Sequence, residues 1–145
     1  MTTRRRFLRD SSLFAAAALV PASAFAGPVR RRAISLDQVR FGAFAANVGT
    51  TFWVLQDQGP ATRLELAQAK PCPPPANSVQ AAAPDAWNEK FSLVFRGLPG
   101  QSLGQDTYLF DHGVLGRFAM FIVPVGADAE GNIYYEAIFN RPAAR

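Results

Sequence analysis

A hairpin pattern between Gly113 and Arg141 constrains the fold more than any other part of this 145-residue chain. The apolar run Phe118–Val123 stops at Pro124 and has the length of a strand that is buried on both faces. The segment Asp128–Asn132 supplies turn residues, including a glycine that can adopt a positive φ. The segment Tyr134–Phe139 then returns as a second strand. The pattern therefore predicts an antiparallel strand pair.

Four other segments have the β-branched and aromatic composition of strands and are bounded by turn residues. They are Thr50–Gln56, Thr62–Ala69, Lys90–Arg96 and Thr107–Phe110. Ser35 has the residue type of an N-cap for a short helix over Leu36–Val39. Six strands separated by turns favour a small antiparallel β-barrel or sandwich with one short N-terminal helix. Prolines crowd residues 70–89, and this segment is predicted to be an exposed loop without strand or helix.

The first 26 residues have the three parts of a cleavable signal peptide: a basic start, an apolar middle and a small-residue end at Ala26. The basic start, with Arg4, Arg5, Phe7 and Leu8, resembles the twin-arginine export motif. The apolar middle is too short for a permanent membrane span. The resemblance implies a bacterial protein that meets the twin-arginine export machinery and is periplasmic or secreted.

The basic charge balance of +4 depends largely on that export segment. After cleavage, 11 basic and 10 acidic residues remain, and the only basic cluster is Arg30–Arg32. No aromatic residues alternate with these arginines, so the sequence does not favour nucleic-acid binding. We expect residues 27–34 to be a disordered basic leader and residues 35–141 to form a single β domain.

Several segments together resemble a family of short bacterial β-rich domains of unknown function. They are GTTFWV, LELAQA, FSLVFRG, the Gln105-x-Thr107-Tyr108 step, LGRFAMFIVPVG and GNIYYEAIFNR. The resemblance covers Phe41 to Arg141 and is most specific between Phe121 and Phe139. It carries over no catalytic residues. Members occur near phage-tail-collar-like or microcystin-dependent-type proteins, which implies an assembly role and another exported or phage-tail-like assembly protein as a partner.

A hydrolase would have to be built from Ser102, Asp111 and His112. Ser102 lies in a GQSLG sequence that has the letters of a nucleophile elbow, although a loop leading to a strand replaces the required strand and helix. His112 is the only histidine in the chain and follows a carboxylate. The other alternative is a ligand-binding barrel whose mouth is lined by Trp53, Trp87 and Tyr108.

Other kinds of chemistry have less support in the sequence. One histidine and one cysteine cannot assemble a zinc or copper site, and no cofactor-binding motif is present. Cys72 is an odd thiol that could form an intermolecular disulfide in an oxidising compartment. Glu136 is expected to form a cross-strand ion pair with Arg96 or Arg117. The sequence thus favours an exported, non-catalytic β domain that acts as a binding or assembly module, with a small periplasmic hydrolase or ligand-binding barrel as the alternative.

Overall fold

A computed structural model describes residues 32–72, 75–77 and 88–141. The predicted signal peptide, most of the basic leader and Trp87 lie outside the described residues. The chain forms a 3-10 turn, Leu36–Gln38, a short helix, α1 (Phe41–Ala45), and six strands. The strands are β1 (Thr51–Leu55), β2 (Thr62–Pro71), β3 (Lys90–Gly97), β4 (Asp106–His112), β5 (Gly116–Ala127) and β6 (Ile133–Asn140).

These strands form a closed antiparallel barrel in the order β1-β2-β3-β6-β5-β4. The predicted class is confirmed, and a closed barrel rather than a sandwich is the form it takes. Residues alternate between the interior and the outer surface along each strand. The interior is filled by side chains that are at most 1% exposed, including Phe52, Leu66, Phe95, Phe110 and Tyr135. The barrel therefore encloses a packed core.

One end of the barrel, the loop end, is closed by the chain that connects β3 to β4. These strands are not neighbours, so residues 98–105 must cross the end of the barrel. Leu103 is buried there, and its backbone N–H donates to the hydroxyl of Tyr135 at 2.9 Å. The Tyr135 hydroxyl in turn donates to the Gln101 carbonyl oxygen at 3.2 Å. The crossing segment is thus fixed to the core by a tyrosine on β6.

The opposite end, the helix end, contains a seam between β5 and β6. These two strands pair only where Val123–Ala127 meets Ile133–Glu136. Beyond that, β5 pairs with β4 and β6 pairs with β3. The Phe44 ring of α1 fills the seam, with its centroid 5.9 Å from the ring of Phe118 on β5 and 5.9 Å from the ring of Phe139 on β6. The helix therefore completes the core at the place where the sheet does not.

The segment before α1 runs over the same seam. Ala33 forms a parallel bridge with Arg117, and the Ile34 N–H donates to the Arg117 carbonyl oxygen at 2.7 Å. Arg141, just after β6, donates to the carbonyl oxygens of Val39 and Leu36, each at 2.8 Å. Residues 33 and 34, which precede the predicted domain start at residue 35, thus pair with the free edge of β5.

The apolar run on β5 is buried on one face only, so the prediction of burial on both faces is wrong. Phe118, Met120 and Ile122 are at most 1% exposed, whereas Phe121 is 50% exposed. The barrel wall is a single sheet, and no described segment packs on its outer face at β5. Ala119 and Phe121, which alternate with the buried residues, therefore point outward. The strand also continues past Pro124, with a bulge between Pro124 and Gly126.

The proline-rich loop begins later than its predicted start at residue 70, because Lys70 and Pro71 belong to β2. Pro71 pairs with Phe91, and the Cys72 N–H donates to the Lys90 carbonyl oxygen at 2.8 Å. Successive backbone nitrogens of a strand face opposite sides, so the nitrogen of Pro71 faces away from β3. A proline at this position removes no hydrogen bond from the β2–β3 ladder.

Candidate binding surface

The outer surface of three neighbouring strands carries an apolar patch, which we call the β1–β4–β5 face. It consists of Trp53, Leu55, Leu109, Ala119 and Phe121. Leu55 pairs with Leu109, and Leu109 pairs with Ala119, so these three side chains form one row across the wall. Side chains of directly paired residues lie about 5 Å apart. Trp53 lies two residues before Leu55 on β1, and Phe121 lies two residues after Ala119 on β5, so both aromatic side chains are on the same outer face as the row and at opposite corners of it.

The two largest side chains of this face are half exposed. Trp53 is 46% exposed and Phe121 is 50% exposed. Each lies between two buried neighbours on its strand, so the alternation of the strand directs both rings away from the core. Single exposed apolar residues are common on protein surfaces, but adjacent aromatic and aliphatic side chains on one face are typical of interaction sites.

A row of charged residues borders this face at the side of Trp53. The register places Arg63 beside Trp53, Trp53 beside Asp111, and Asp111 beside Arg117. Asp111 and Arg117 form an ion pair at 3.0 Å. Arg63 lies at the other end of the row, and its Nε donates to the Thr51 hydroxyl at 3.3 Å.

A groove of about 150 Å³ continues from this row onto β2 and β3. Its lining residues are Arg63, Glu65, Arg96, Gly97 and Leu98. Glu65 and Arg96 form an ion pair at 3.0 Å, in which the carboxylate raises the pKa of the guanidinium. Because Arg63 lines the groove and is paired with Trp53, the groove and the β1–β4–β5 face are adjacent.

His112 is a structural residue of the helix end. It is 4% exposed and stacks on Phe52 with ring centroids 4.2 Å apart. Its Nδ1 accepts hydrogen bonds from the backbone N–H groups of Val114 and Leu115, at 3.2 and 3.1 Å. The proton of the neutral ring is therefore on Nε2, which donates to the Thr50 hydroxyl at 2.9 Å. Burial lowers the pKa of His112, and the nearby Asp111 opposes this shift.

The Thr50 hydroxyl links His112 to α1 through a chain of hydrogen bonds. It donates to the Asn47 carbonyl oxygen at 2.6 Å, and the Asn47 side-chain amide donates to the Ala43 carbonyl oxygen at 2.7 Å. His112 thus joins the β4–β5 turn to the helix that fills the seam. The hydrogen bonds, stacking and burial described here fit this structural role.

The three residues of the hydrolase alternative do not come together. Ser102 is exposed in the crossing segment at the loop end, whereas His112 lies at the helix end. The length of β4 separates these positions by about 20 Å. Asp111 is adjacent to His112 in sequence but points outward to Arg117. Residues next to each other on a strand face opposite sides of the sheet, and this alternation separates the acid from the base.

The sequence of the strands matches a known family model, described as "Domain of unknown function (DUF6916)", over residues 39–139. The chain belongs to this family. Neither the comparison with curated proteins nor the comparison with solved structures found a match. The matched range lies close to the Phe41–Arg141 range over which the sequence resembles a family of unknown function. It contains β1 to β5 and all of β6 except its last residue, Asn140.

Two other groupings predicted from the sequence are not assembled in the DUF6916 domain. Trp53 and Tyr108 do not line one mouth, because Trp53 faces outward while the Tyr108 hydroxyl donates to the Gly104 carbonyl oxygen at the loop end. Glu136 pairs with neither predicted arginine: Arg96 pairs with Glu65 and Arg117 pairs with Asp111.

The described residues also bear on metals, thiols and membrane helices. They contain no group of three or more histidine, cysteine or acidic side chains placed to hold a metal ion. Cys72 is an exposed free thiol, and an intermolecular disulfide through it stays a prediction. Within the ranges that the structure describes, no helix has the length and apolarity to cross a membrane.

The β1–β4–β5 face could not be predicted from the sequence, because the residue type alone does not say whether an apolar side chain on a strand points inward or outward. The alternation of TTFWVLQ does contain a signal for Trp53, since Phe52 and Val54 occupy the opposite face. Phe121 carries no such signal, because both of its neighbours are also apolar. The groove depends on the β2–β3 register, which brings Glu65 beside Arg96.

Proposed function

We propose that this DUF6916 domain is a non-catalytic binding module of an exported protein, and that it docks a protein partner on the β1–β4–β5 face. One observation carries the proposal: two large aromatic side chains are half exposed on one continuous apolar surface, although the core is already filled. A packed interior favours recognition at the outer surface over ligand binding inside the barrel.

The export part of the proposal is supported by the sequence of residues 1–26. The twin-arginine resemblance of Arg4, Arg5, Phe7 and Leu8 favours transport of the folded domain, with cleavage after Ala26. The barrel contacts described above begin at Ala33, so loss of the first 26 residues removes none of them. The domain would then act in the periplasm or after secretion, where the partner is another exported or phage-tail-like assembly protein.

The docking face is tested by site-specific photo-crosslinking in the native host. The photoreactive residue p-benzoylphenylalanine replaces Phe121 in one strain and Ile138 in the other. Ile138 is a suitable control because it is a β6 residue outside the face and is 74% exposed. We expect a discrete crosslinked product from position 121 that is weak or missing at position 138. Equal yields at both positions would rule out this face as the docking site.

The same experiment gains a second arm from Trp53→Ala, introduced into the strain that carries the probe at position 121. Trp53 lies at the opposite side of the face, so its loss removes apolar contact area without touching the probe. We expect the crosslink yield to fall severalfold while the level of exported protein is unchanged. An unchanged yield would show that the partner does not span the face.

A further inference from the structure

The groove beside Trp53 has cationic hydrogen-bond donors that the fold leaves unused. Arg63 uses Nε in its bond to the Thr51 hydroxyl, and no described residue accepts from its terminal amino groups. Arg96 donates once to Glu65 through Nη2. A guanidinium has five N–H donors in a planar fork, so several donors of both side chains remain available at the groove.

The charge of the groove favours an anion. Glu65 is compensated by its ion pair with Arg96, at 3.0 Å. Arg63 has no ion-pair partner among the described residues, so the lining keeps one positive charge. Two guanidinium groups that flank a small groove suit a carboxylate, which can accept a pair of parallel N–H bonds. The volume of about 150 Å³ accommodates a carboxylate together with its methylene arm.

The same charges argue against a second copy of this chain as the occupant. The row across the wall runs Arg63, Trp53, Asp111, Arg117. A two-fold axis through the middle of this row would place an Arg63 opposite an Arg117. Asp111, the only carboxylate in the row, is already paired with Arg117 at 3.0 Å, so a second copy in this arrangement offers Arg63 no free carboxylate and the row fits a different surface better.

We infer that the partner docked on the β1–β4–β5 face inserts an aspartate or glutamate side chain into the groove, where its carboxylate binds Arg63 and Arg96. This inference rests on the proposed function for the identity of the occupant. The apolar face supplies contact area, and the groove selects partners that carry an acidic residue at one edge of the contact. Leu98, 45% exposed, provides an apolar wall for the methylene groups of that residue.

The carboxylate site is tested on the full chain with butyrate as the probe and butyramide as its uncharged isostere. Both are titrated at constant ionic strength while NMR follows the arginine Nε–H signals and the backbone amides of Gly97 and Leu98. We expect saturable shifts with butyrate, at a Kd in the millimolar range, and none with butyramide. The variant Arg63→Gln should weaken binding about fivefold or more, because it removes charge-assisted donors.

A matched control is Arg40→Gln, since Arg40 is an exposed arginine that precedes α1 at the other end of the barrel. It should leave butyrate binding unchanged. Equal shifts of Arg40 and Arg63 would mean that butyrate only samples surface arginines, and this would overturn the site. Equal effects of butyrate and butyramide would also overturn it, because contact would then not depend on charge.

A second arm separates a protein carboxylate from a free small molecule. In the strain with the photoreactive residue at position 121, Arg63→Glu should reduce the crosslink yield severalfold and Arg40→Glu should not. If butyrate binds but Arg63→Glu leaves the crosslink intact, the groove serves a free carboxylate, and the inference about the partner is refuted. A crosslink at position 121 without butyrate binding keeps the docking face and refutes the carboxylate site. Butyrate binding without any crosslink at position 121 would keep the carboxylate site and refute the docking face.

Discussion

Replacement of Phe44 by alanine tests whether the helix α1 is a structural part of the barrel. Phe44 is fully buried and its ring meets those of Phe91, Phe118 and Phe139 at centroid distances of 5.9 to 6.1 Å. Removing a buried phenylalanine ring costs roughly 3–5 kcal/mol, through lost transfer free energy and the cavity that remains. The aromatic contacts place this site toward the upper part of that range. We expect the melting temperature to fall by more than about 10 °C.

The measurements are urea unfolding, which gives the free energy of unfolding, and thermal unfolding, which gives the melting temperature. Both follow the far-UV circular dichroism of the full chain, so that all variants report on the same sheet. The matched control is Phe121→Ala, which removes the same ring from an outward position that is 50% exposed. It should cost at most about 1 kcal/mol. If Phe44→Ala does not fold, Phe44→Leu is compared with Phe121→Leu, with an expected loss of about 1 kcal/mol for the buried position and close to none for the exposed one.

The reasoning about the seam would be refuted if Phe44→Ala destabilised the protein no more than Phe121→Ala does. That result would mean that β5 and β6 hold together without the helix. A loss of 3 kcal/mol or more from the position before β1, with little loss from the middle of β5, is the pattern that a filled seam requires.

Two further predictions concern His112 and the leader. The pKa of His112 is lowered from its ordinary value of 6.5, so the unfolded chain binds a proton more readily than the folded chain. The free energy of unfolding should therefore decrease as the pH falls below about 6.5 and level off below the pKa of His112 in the folded state. Comparison with His112→Asn between about pH 7.5 and 5 isolates the contribution of this residue. Identical pH profiles of the two proteins would exclude that contribution. Replacing both Arg4 and Arg5 by lysine should leave the precursor in the cytoplasm, as judged by cell fractionation and immunoblotting, whereas replacing the neighbouring Arg6 by lysine should not. Normal processing of the double variant would argue against the twin-arginine route.

The strands of this fold could be predicted because turn residues separate them and because their composition is typical of β structure. The hairpin from β5 to β6 illustrates this, since Asp128 accepts hydrogen bonds from the backbone N–H groups of Glu130 and Asn132, as its turn sequence suggests. Barrel closure could not be predicted in the same way. It depends on the non-local pairing of β1 with β4 and of β3 with β6, and nothing in the local pattern of either strand specifies its partner.

The sequence was least informative about side-chain direction. A one-residue difference in alternation decides whether a side chain belongs to the core or to the surface. Asp111 and His112 are adjacent in the sequence, which suggests an acid–base pair, but the alternation of β4 directs Asp111 outward and His112 inward. The apolar neighbours of Phe121 predict a core position for it, but its side chain is half exposed and belongs to the candidate binding surface. The candidate binding surface is formed by residues that the cross-strand register brings together, and these are distant in sequence.

The seam at the helix end has a consequence for how the chain reaches its folded state. Residues 33 and 34 bond to β5, Phe44 packs on β6, and Arg141 binds carbonyl oxygens more than a hundred positions earlier in the chain. The full set of contacts made by the first residues of the domain therefore cannot form until residue 141 has been synthesised. Contacts of such long sequence separation slow the search for the native state. No segment of this domain that ends before residue 141 therefore contains every contact that closes the helix end.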